Sequence, residues 1–248
     1  MLEVRQLCKS FGGLKVTREV SFALETGERR VILGPNGAGK TTLFNLLVGE
    51  LAPTSGEILI DGHSVGGLSV SQRARLGLSR SYQRNNLFED LTIRENLLLA
   101  VSAGQAKTAW MVRDSFRDKE VRETVSDVAE QVALTEVMDS PVRTVSYGNR
   151  RQLEVGLALA TKPSILLMDE PTSGVGPGMI DGFRRLLQSL PRDLTVVIIE
   201  HDLDLAFDVA DRITVLNFGE VVFEGTPEET RGNKVVRDIY LGDWQSDA

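Results

Sequence analysis

The sequence predicts an α/β fold with a mostly parallel sheet, and three observations support this fold class. Two short apolar runs, residues 165–168 and 196–199, do not alternate with polar residues, which is typical of strands buried on both faces. Apolar residues at helical spacing lie between them, from Met179 to Leu190. A glycine-rich segment at 34–39 separates an apolar strand from a helix. Strand, helix and strand in succession form a βαβ unit, whose strands lie parallel in one sheet.

Further strands and a helix are predicted on either side of the glycine-rich segment. Residues 2–8 alternate roughly between apolar and polar side chains and predict a strand. Residues 20–24 and 29–33 predict two more strands, and the leucines of 40–50 have helical spacing. A strand at 57–60, flanked by turns, follows.

A long helical stretch interrupts the predicted sheet. Residues 92–137 contain one glycine and no proline, and Ala, Glu, Val and Leu dominate, so this stretch is predicted to be helical. Helical spacing returns at 153–160. No Gly/Ser-rich linker borders this insert, at about 85–163, so we expect a subdomain within one folding unit. A hairpin formed by 212–216 and 221–224 is predicted to close the α/β part.

The charge balance disfavours one class of partner. The 248 residues carry 28 Lys and Arg against 35 Asp and Glu, a formal charge of −7, whereas dedicated nucleic-acid binders are usually basic. Four arginines nevertheless lie close together, Arg73, Arg75, Arg80 and Arg84. Two interpretations of them stay open: a solvated or salt-bridged face, or a surface that contacts a partner.

Other classes are excluded by what the chain lacks. The single cysteine, Cys8, cannot form an internal disulfide framework or a cysteine-cluster metal site. No apolar run approaches the roughly 20 residues of a membrane-spanning helix. The first residues do not resemble a signal peptide, so a cytoplasmic location is expected.

The segment Gly34-Pro35-Asn36-Gly37-Ala38-Gly39-Lys40-Thr41 fits the phosphate-loop pattern G-x-x-x-x-G-K-[ST], and it lies between a predicted strand and a predicted helix. Glycines let backbone N–H groups converge on an anion, and the following helix directs the positive end of its dipole at the phosphates. Lys40 can reach the β- and γ-phosphates, and the Thr41 hydroxyl can bind Mg²⁺. The motif therefore predicts a nucleotide phosphate site without specifying the reaction.

Carboxylates follow the first buried strand, since Asp169 and Glu170 come directly after 165–168. Ligands of such sheets bind at the carboxyl edge, so we expect Asp169 to hold Mg²⁺ through its water shell, the Walker B role. Glu170 is a candidate general base for the attacking water. His201 follows the next buried strand, within reach of a γ-phosphate, whereas the other histidine, His63, lies in a turn and has no expected role.

Together these motifs resemble the ATP-binding subunits of ABC transporters, over essentially the whole chain from Leu2 to about Trp244. The distinguishing segment is VSYGNRRQ at 145–152, which is similar to the family signature LSGGQ. The resemblance implies the P-loop NTPase fold of ABC ATPases, with a mostly parallel RecA-like core sheet, an N-terminal antiparallel β part and an α-helical subdomain. The implied single ATP-binding domain, 1–248, divides into a core of 1–84 and 164–248 and a helical subdomain of 85–163 that carries the signature.

The resemblance also implies roles for single residues. Phe11 stands where an aromatic ring stacks on adenine, and a core aromatic beside a double-glycine turn is the alternative interpretation. Gln83 stands at the Q-loop, where the family uses glutamine to touch Mg²⁺ and the attacking water. Ser146 and Gly148 would cap the γ-phosphate held by the opposite subunit. The implied phosphate-loop contacts to ATP are Gly34, Pro35, Asn36, Gly37, Ala38, Gly39, Lys40, Thr41 and Thr42; the implied catalytic residues are Glu170, His201 and Gln83; the implied metal ligands are Thr41, Gln83 and Asp169.

Three positions depart from the family pattern. Tyr147 replaces the first glycine of the signature, Asn149 replaces its glutamine, and Gly176 occupies the place of the usual D-loop aspartate. An S-Y-G signature recurs in the ATPases of branched-chain amino-acid importers, and this group is also similar at F-G-G-L, R-S-Y-Q, I-E-H-D and the Y-L-G tail. ATPases of urea import and lipopolysaccharide export share parts of this pattern and rank second and third.

The resemblance implies hydrolysis of ATP to ADP and phosphate, with Mg²⁺ as cofactor, to drive import of branched-chain or other hydrophobic amino acids. The implied partners are integral membrane permease subunits, a second ABC ATPase subunit that is identical or paralogous, and a solute-binding protein if the transporter is an importer. No nucleic-acid partner is implied. The implied location is cytoplasmic and peripheral, at the inner face of the cell membrane through the permease.

Two other classes of function remain as alternatives. An ABC-type ATPase without a transporter, such as a DNA-repair or translation factor, would need a long coiled coil or a second cassette, for which 248 residues leave no room. Another P-loop class, a GTPase or a small-molecule kinase, is the second. A GTPase would need an N-K-x-D motif after a buried strand, and the segment at 233–236, N-K-V-V, fails at its fourth position.

Overall fold

The structure is a computed structural model and describes residues 1–81, 87–104, 118–174 and 177–244. In chain order its strands are β1 (Leu2–Phe11), β2 (Leu14–Leu24), β3 (Arg29–Leu33), β4 (Ser55–Ile60), β5 (His63–Ser64), β6 (Leu78–Ser81), β7 (Ile165–Asp169), β8 (Thr195–Ile199), β9 (Arg212–Asn217) and β10 (Glu220–Gly225). Its α-helices are α1 (Lys40–Val48), α2 (Val70–Arg75), α3 (Ile93–Gly104), α4 (Lys119–Gln131), α5 (Tyr147–Leu159), α6 (Pro177–Ser189), α7 (Leu203–Val209), α8 (Pro227–Gly232) and α9 (Lys234–Trp244).

The strands form two sheets. The smaller sheet is antiparallel and has the order β2-β1-β4-β5. The larger sheet has the order β10-β9-β3-β8-β7-β6, in which the strands from β9 to β6 are parallel and β10 is an antiparallel edge strand. The predicted α/β fold with a mostly parallel sheet is therefore confirmed. The carboxyl ends of the parallel strands meet at one edge, where the phosphate loop also begins.

Both faces of the larger sheet are buried, which explains why its strands lack alternation in the sequence. Val196 and Ile198 of β8 pack into a core that also contains residues of α3, α4 and α5. Val197 and Ile199 of the same strand pack on the other face, with α1 and the antiparallel sheet. The larger sheet thus lies between a helical layer and a second layer that holds the phosphate-loop helix.

The helix predicted over 92–137 is divided in the structure. α3 ends at Gly104, residues 105–117 lie outside the described part of the chain, and α4 ends at Gln131. Ala133 has a φ of +55°, which a right-handed helix does not contain, and a 3₁₀ turn follows at Thr135–Val137. The prediction of a helix up to residue 137 is therefore wrong beyond Gln131.

Several short elements escape the sequence patterns. β6 has four residues, of which three are polar, and α2 has six residues with no apolar stripe. The helices α7, α8 and α9 are also absent from the sequence-based prediction. Among the described residues, every helix is too short or too polar to span a bilayer.

Two of the four clustered arginines point into the protein. Arg73 is buried, and its guanidinium donates hydrogen bonds to the carbonyl oxygens of Leu46 and Leu47 at 2.6 and 2.7 Å. These carbonyls end α1, where a positive charge is stabilised by the helix dipole. Arg80 pairs with Glu50 at 2.7 Å. Arg73 therefore fits neither interpretation of the cluster, whereas Arg80 forms an ion pair, as the salt-bridged interpretation expects, and Arg84 lies outside the described residues.

Candidate active site

The phosphate-loop residues lie between β3 and α1 at the carboxyl edge of the larger sheet. Close packing requires two of the glycines, because a Cβ at Gly34 would lie 2.3 Å from the Leu216 carbonyl oxygen and one at Gly39 would lie 2.8 Å from that of Val16. Gly37 differs, since a Cβ there would meet no atom within 4 Å and its φ is +80°. The loop therefore presents bare backbone beside the N-terminus of α1, where an anion binds favourably.

Lys40, the first residue of α1, is folded over the loop. Its Nζ donates hydrogen bonds to the carbonyl oxygens of Gly34 and Pro35 at 2.5 and 3.1 Å. Burial lowers the pKa of Lys40, and the carboxylates at the ends of β7 and β8 oppose that change. A buried positive charge thus lies between the loop and these carboxylates.

Asp169 is buried at the end of β7, and Arg80 of β6 connects it to α1. The Arg80 Nη2 lies 3.9 Å from Asp169 Oδ2, and the same guanidinium covers the Phe44 ring at 4.6 Å from its centroid. Burial raises the pKa of Asp169, while the charge of Arg80 lowers it. The pKa of Asp169 is raised overall, and Arg80 offsets part of the effect of burial while packing on the phosphate-loop helix.

Glu170 directly follows β7 in a tight turn, with a φ of +44° that is unusual for a residue other than glycine. Its N–H donates to the Ile199 carbonyl oxygen at 2.9 Å, and its own carbonyl oxygen accepts from the Ser173 N–H at 3.0 Å. The Glu170 Oε1 lies 4.0 Å from His201 Nδ1, and the two side chains are 31% and 60% exposed. Both groups are thus accessible to water.

Glu200 is fully buried between β8 and His201, and its carboxylate accepts four hydrogen bonds. Oε1 accepts from the N–H and the hydroxyl of Thr172 at 3.2 and 2.6 Å. Oε2 accepts from the N–H groups of His201 and Asp202 at 3.1 and 3.4 Å. This carboxylate therefore ties the turn after Glu170 to the loop that carries His201.

The signature segment begins α5. The Ser146 hydroxyl accepts a hydrogen bond from the Asn149 N–H at 3.2 Å and caps the helix, so its own hydrogen is not used in that contact. Ser146 is exposed, and Gly148 lies in the first turn. The Tyr147 side chain contacts the turn after Glu170 in the same chain, where its hydroxyl donates a hydrogen bond to the Ser173 carbonyl oxygen at 3.0 Å.

These groups fit the triphosphate of a nucleotide with Mg²⁺. The bare backbone at Gly37, the ammonium of Lys40 and the N-terminus of α1 supply the donors and positive charge that phosphates require. The Thr41 hydroxyl and the Asp169 carboxylate are oxygen ligands of the kind that Mg²⁺ prefers.

The comparisons with known proteins decide the family. Residues 17–173 match the family model described as ABC transporter. This chain is an ABC transporter ATPase. It is 38% identical, over 98% of both chains, to the high-affinity branched-chain amino acid transport ATP-binding protein BraF of Pseudomonas aeruginosa. It is 32% identical, over 98% of both chains, to the lipopolysaccharide export system ATP-binding protein LptB of Haemophilus influenzae. The ADP conformation of MJ1267, an ATP-binding cassette of an ABC transporter, covers 98% of both chains with a TM-score of 0.83 and 27% identity.

In the ABC ATPase, Lys40 and the rest of the phosphate loop lie at the same sheet edge as Asp169, Glu170 and His201. Phe11 lies at the tip of the β1–β2 hairpin. Its ring is 47% exposed with Lys9 Nζ at 5.1 Å from the centroid, so it is not a core aromatic.

Two predicted positions, Gln83 and Gly176, lie outside the described residues of the ABC ATPase. The sequence reasoning also missed Arg80 and Glu200 as parts of the site. The only signal for Glu200 is its place between a buried strand and His201, and an acidic residue after a strand is usually a surface turn. Arg80 was interpreted as a surface residue because it belongs to the arginine cluster. No sequence pattern predicts that its guanidinium lies beside a carboxylate 89 positions later.

Replacing Glu200 with Gln is expected to destabilise the ABC ATPase. The new amide nitrogen would face the N–H groups of His201 and Asp202, leaving buried donors without acceptors, so we expect the free energy of unfolding to fall by about 2–3 kcal/mol. Urea denaturation measures this change. The control is Glu220→Gln, which removes an exposed pair with Arg18 and should cost less than about 1 kcal/mol. Equal effects of the two substitutions would contradict the structural role of Glu200.

Proposed function

We propose that this ABC ATPase drives the import of branched-chain or other hydrophobic amino acids. The observation that carries the proposal is the 38% identity to BraF along 98% of both chains. Export of lipopolysaccharide is the second candidate, favoured by the 32% identity to LptB along the same share of both chains. Urea import is the third candidate, on the sequence segments that it shares with the importer group.

In the proposed mechanism, the phosphate loop and Lys40 bind the phosphates of ATP while Phe11 stacks on the adenine. Phosphoryl transfer depends mainly on positioning and on neutralising charge, and Lys40 supplies one of the positive charges. Glu170 takes a proton from the attacking water. His201, 4.0 Å from Glu170, orients that water and the γ-phosphate.

Mg²⁺, when bound, would neutralise charge on the β- and γ-phosphates. The residues proposed to hold it are Thr41, Asp169 and Gln83. Arg80 supports this arrangement, because its positive charge opposes the burial that raises the pKa of Asp169 and its guanidinium packs on Phe44 of α1.

Two subunits are proposed to share each ATP. Ser146 and Gly148 belong to the proposed helical subdomain, 85–163, whereas the phosphate loop belongs to the proposed core, 1–84 and 164–248. In a head-to-tail pair, the Ser146 hydroxyl and the positive end of the α5 dipole would contact the γ-phosphate bound to the other chain. ATP would then hold the pair together, and hydrolysis would release it.

Permease subunits that cross the membrane are the proposed partners, joined by a solute-binding protein for import. The second ATPase subunit is either a copy of this chain or a paralogue. Through the permease, the ATPase would lie in the cytoplasm at the inner face of the cell membrane.

Reconstitution tests the proposed substrate. A tag on this chain should recover permease subunits from detergent-solubilised membranes, and liposomes that contain the recovered complex should accumulate labelled leucine only when ATP is supplied on the ATPase side. The matched control complex carries Lys40→Ala. ATP-dependent uptake of urea without leucine, or ATP-dependent extraction of lipopolysaccharide, would contradict amino-acid import while leaving the transporter ATPase in place.

The segment 85–88 is proposed to receive a short cytoplasmic helix of the permease. Asn85 and Asn86 lie outside the described residues, whereas the Phe88 side chain is 58% exposed and its backbone is held by two hydrogen bonds to the Asn96 side chain, of 2.9 and 3.1 Å. An exposed ring on a fixed backbone suits a contact with another protein.

Cysteine crosslinking tests this contact. In a Cys8→Ser background, Phe88→Cys should form a disulfide with a single cysteine in the permease helix. The control Val235→Cys, also at an exposed apolar position, should not. Permease crosslinks obtained from Val235→Cys but not from Phe88→Cys would overturn the proposed contact.

A further inference from the structure

The start of α5 is joined to the turn that carries Glu170 within the same chain. The Tyr147 hydroxyl donates a hydrogen bond to the carbonyl oxygen of Ser173 at 3.0 Å. The Ser173 N–H in turn donates to the Glu170 carbonyl oxygen at 3.0 Å and closes the turn. This side-chain hydrogen bond therefore links the helix that Ser146 caps to the turn that contains the proposed base.

Arg151 holds the Tyr147 hydroxyl in this position. Its Nε donates to the hydroxyl at 3.0 Å, its Nη2 donates to the Ser173 carbonyl oxygen at 3.4 Å, and its guanidinium lies 5.4 Å from the centre of the tyrosine ring. The Arg151 Nη1 pairs with Glu154 at 2.7 Å, and both of these residues are buried. Because the hydroxyl accepts from Arg151, its own hydrogen is left to point at Ser173.

The turn on the other side of this bond is equally constrained. A Cβ at Gly174 would lie 3.2 Å from the Tyr147 hydroxyl oxygen, and the φ of Gly174 is +75°. Glycine at this position therefore allows the ring to lie against the turn. Thr172, on the other flank of Ser173, is held by the buried carboxylate of Glu200.

We propose that Tyr147 is a positioning residue for ATP hydrolysis. Its hydroxyl fixes the start of α5, where the signature lies, to the turn of its own chain that contains Glu170. This inference rests on the proposed function, in which Ser146 contacts the ATP of the partner chain while Glu170 acts on the ATP of its own chain. The bond then connects the cap of one ATP site with the base of the other. The family signature has glycine at this position, and glycine has no side chain that could make the bond.

Tyr147→Phe tests the inference because it removes the hydroxyl and keeps the ring. We expect kcat for ATP to fall about fivefold, the size associated with one neutral hydrogen bond, with KM for ATP unchanged within about twofold. In a Glu170→Gln background, the dissociation constant of the ATP-bound dimer should rise by a similar factor, about fivefold. Amide hydrogen exchange of residues 170–174 should become faster in the chain without nucleotide.

The control is Tyr240→Phe, which removes a hydroxyl from α9, and it should change none of these quantities. A fall in thermal midpoint for Tyr147→Phe, with kcat, dimer stability and exchange at 170–174 unchanged, would mean that the bond serves folding alone and would overturn the inference. Absence of an ATP-bound dimer in Glu170→Gln itself would contradict the proposed function, and the inference about Tyr147 would then be overturned as well. A normal Glu170→Gln dimer together with unaltered kinetics of Tyr147→Phe would overturn the inference about Tyr147 and leave the proposed function in place.

Discussion

Glu170→Gln is expected to abolish ATP turnover while leaving ATP binding intact. The amide has nearly the shape of the carboxylate but cannot accept a proton from water, and loss of a general base costs about 10²–10⁴-fold in rate. The turn itself should persist, because Glu170 is held through its backbone by Ile199 and Ser173. Since hydrolysis would release the two subunits, the variant should accumulate as a dimer.

Light scattering with ATP and Mg²⁺ and a phosphate-release assay measure the two halves of this prediction. Wild-type protein should dimerise only transiently under these conditions, and Glu170→Gln should remain dimeric. The control is Glu228→Gln, at an exposed position in the first turn of α8, which should hydrolyse ATP normally. Normal turnover by Glu170→Gln would assign the base to another residue.

Lys40→Ala is expected to remove both ATP binding and turnover. The ammonium of Lys40 is buried, and its charge is compensated by the carboxylates at the ends of β7 and β8. Without it, the γ-phosphate would approach Asp169 and Glu170 without the ammonium whose charge compensates theirs. A hydrogen bond to a charged group contributes about 1.5–3 kcal/mol, so ATP affinity should fall about 10- to 100-fold.

Isothermal titration with ATP measures the affinity, and circular dichroism establishes that the variant is folded. The comparison variant is Lys15→Ala, an exposed lysine on β2 that should bind ATP as the wild type does. ATP affinity and turnover at wild-type levels in folded Lys40→Ala would remove the phosphate loop from the proposed mechanism.

Much of the fold could be predicted because its signals are local. The strands β7 and β8 appear as uninterrupted apolar runs, since each is buried on both faces. The helix α1 follows from leucine spacing and ends one residue before Gly49, whose φ is +90°. Short elements such as β6 and α2 were not predicted in this way, because neither has an apolar pattern at strand or helix spacing.

The residues of the proposed site also divide into those that a local sequence pattern predicts and those that it does not. The phosphate loop is a continuous segment whose residue types are set by backbone geometry, so its motif can be recognised in the sequence. Arg80 and Glu200 act through contacts with residues far along the sequence. Both are of residue types that usually lie on the protein surface. Their burial and the orientation of their side chains distinguish them from surface residues, and no sequence pattern predicts either property.

The α/β class, the phosphate loop and the resemblance to ABC ATPases follow from the chain alone, because spacing within short segments encodes each of these. The folded structure was needed to show that Glu200 links the loops of Glu170 and His201, that Arg80 lies beside Asp169, and that Tyr147 contacts Ser173. The physical reason is that hydrogen bonds and ion pairs act over about 3–4 Å. Whether two residues come within that distance depends on how the sheet and helices pack.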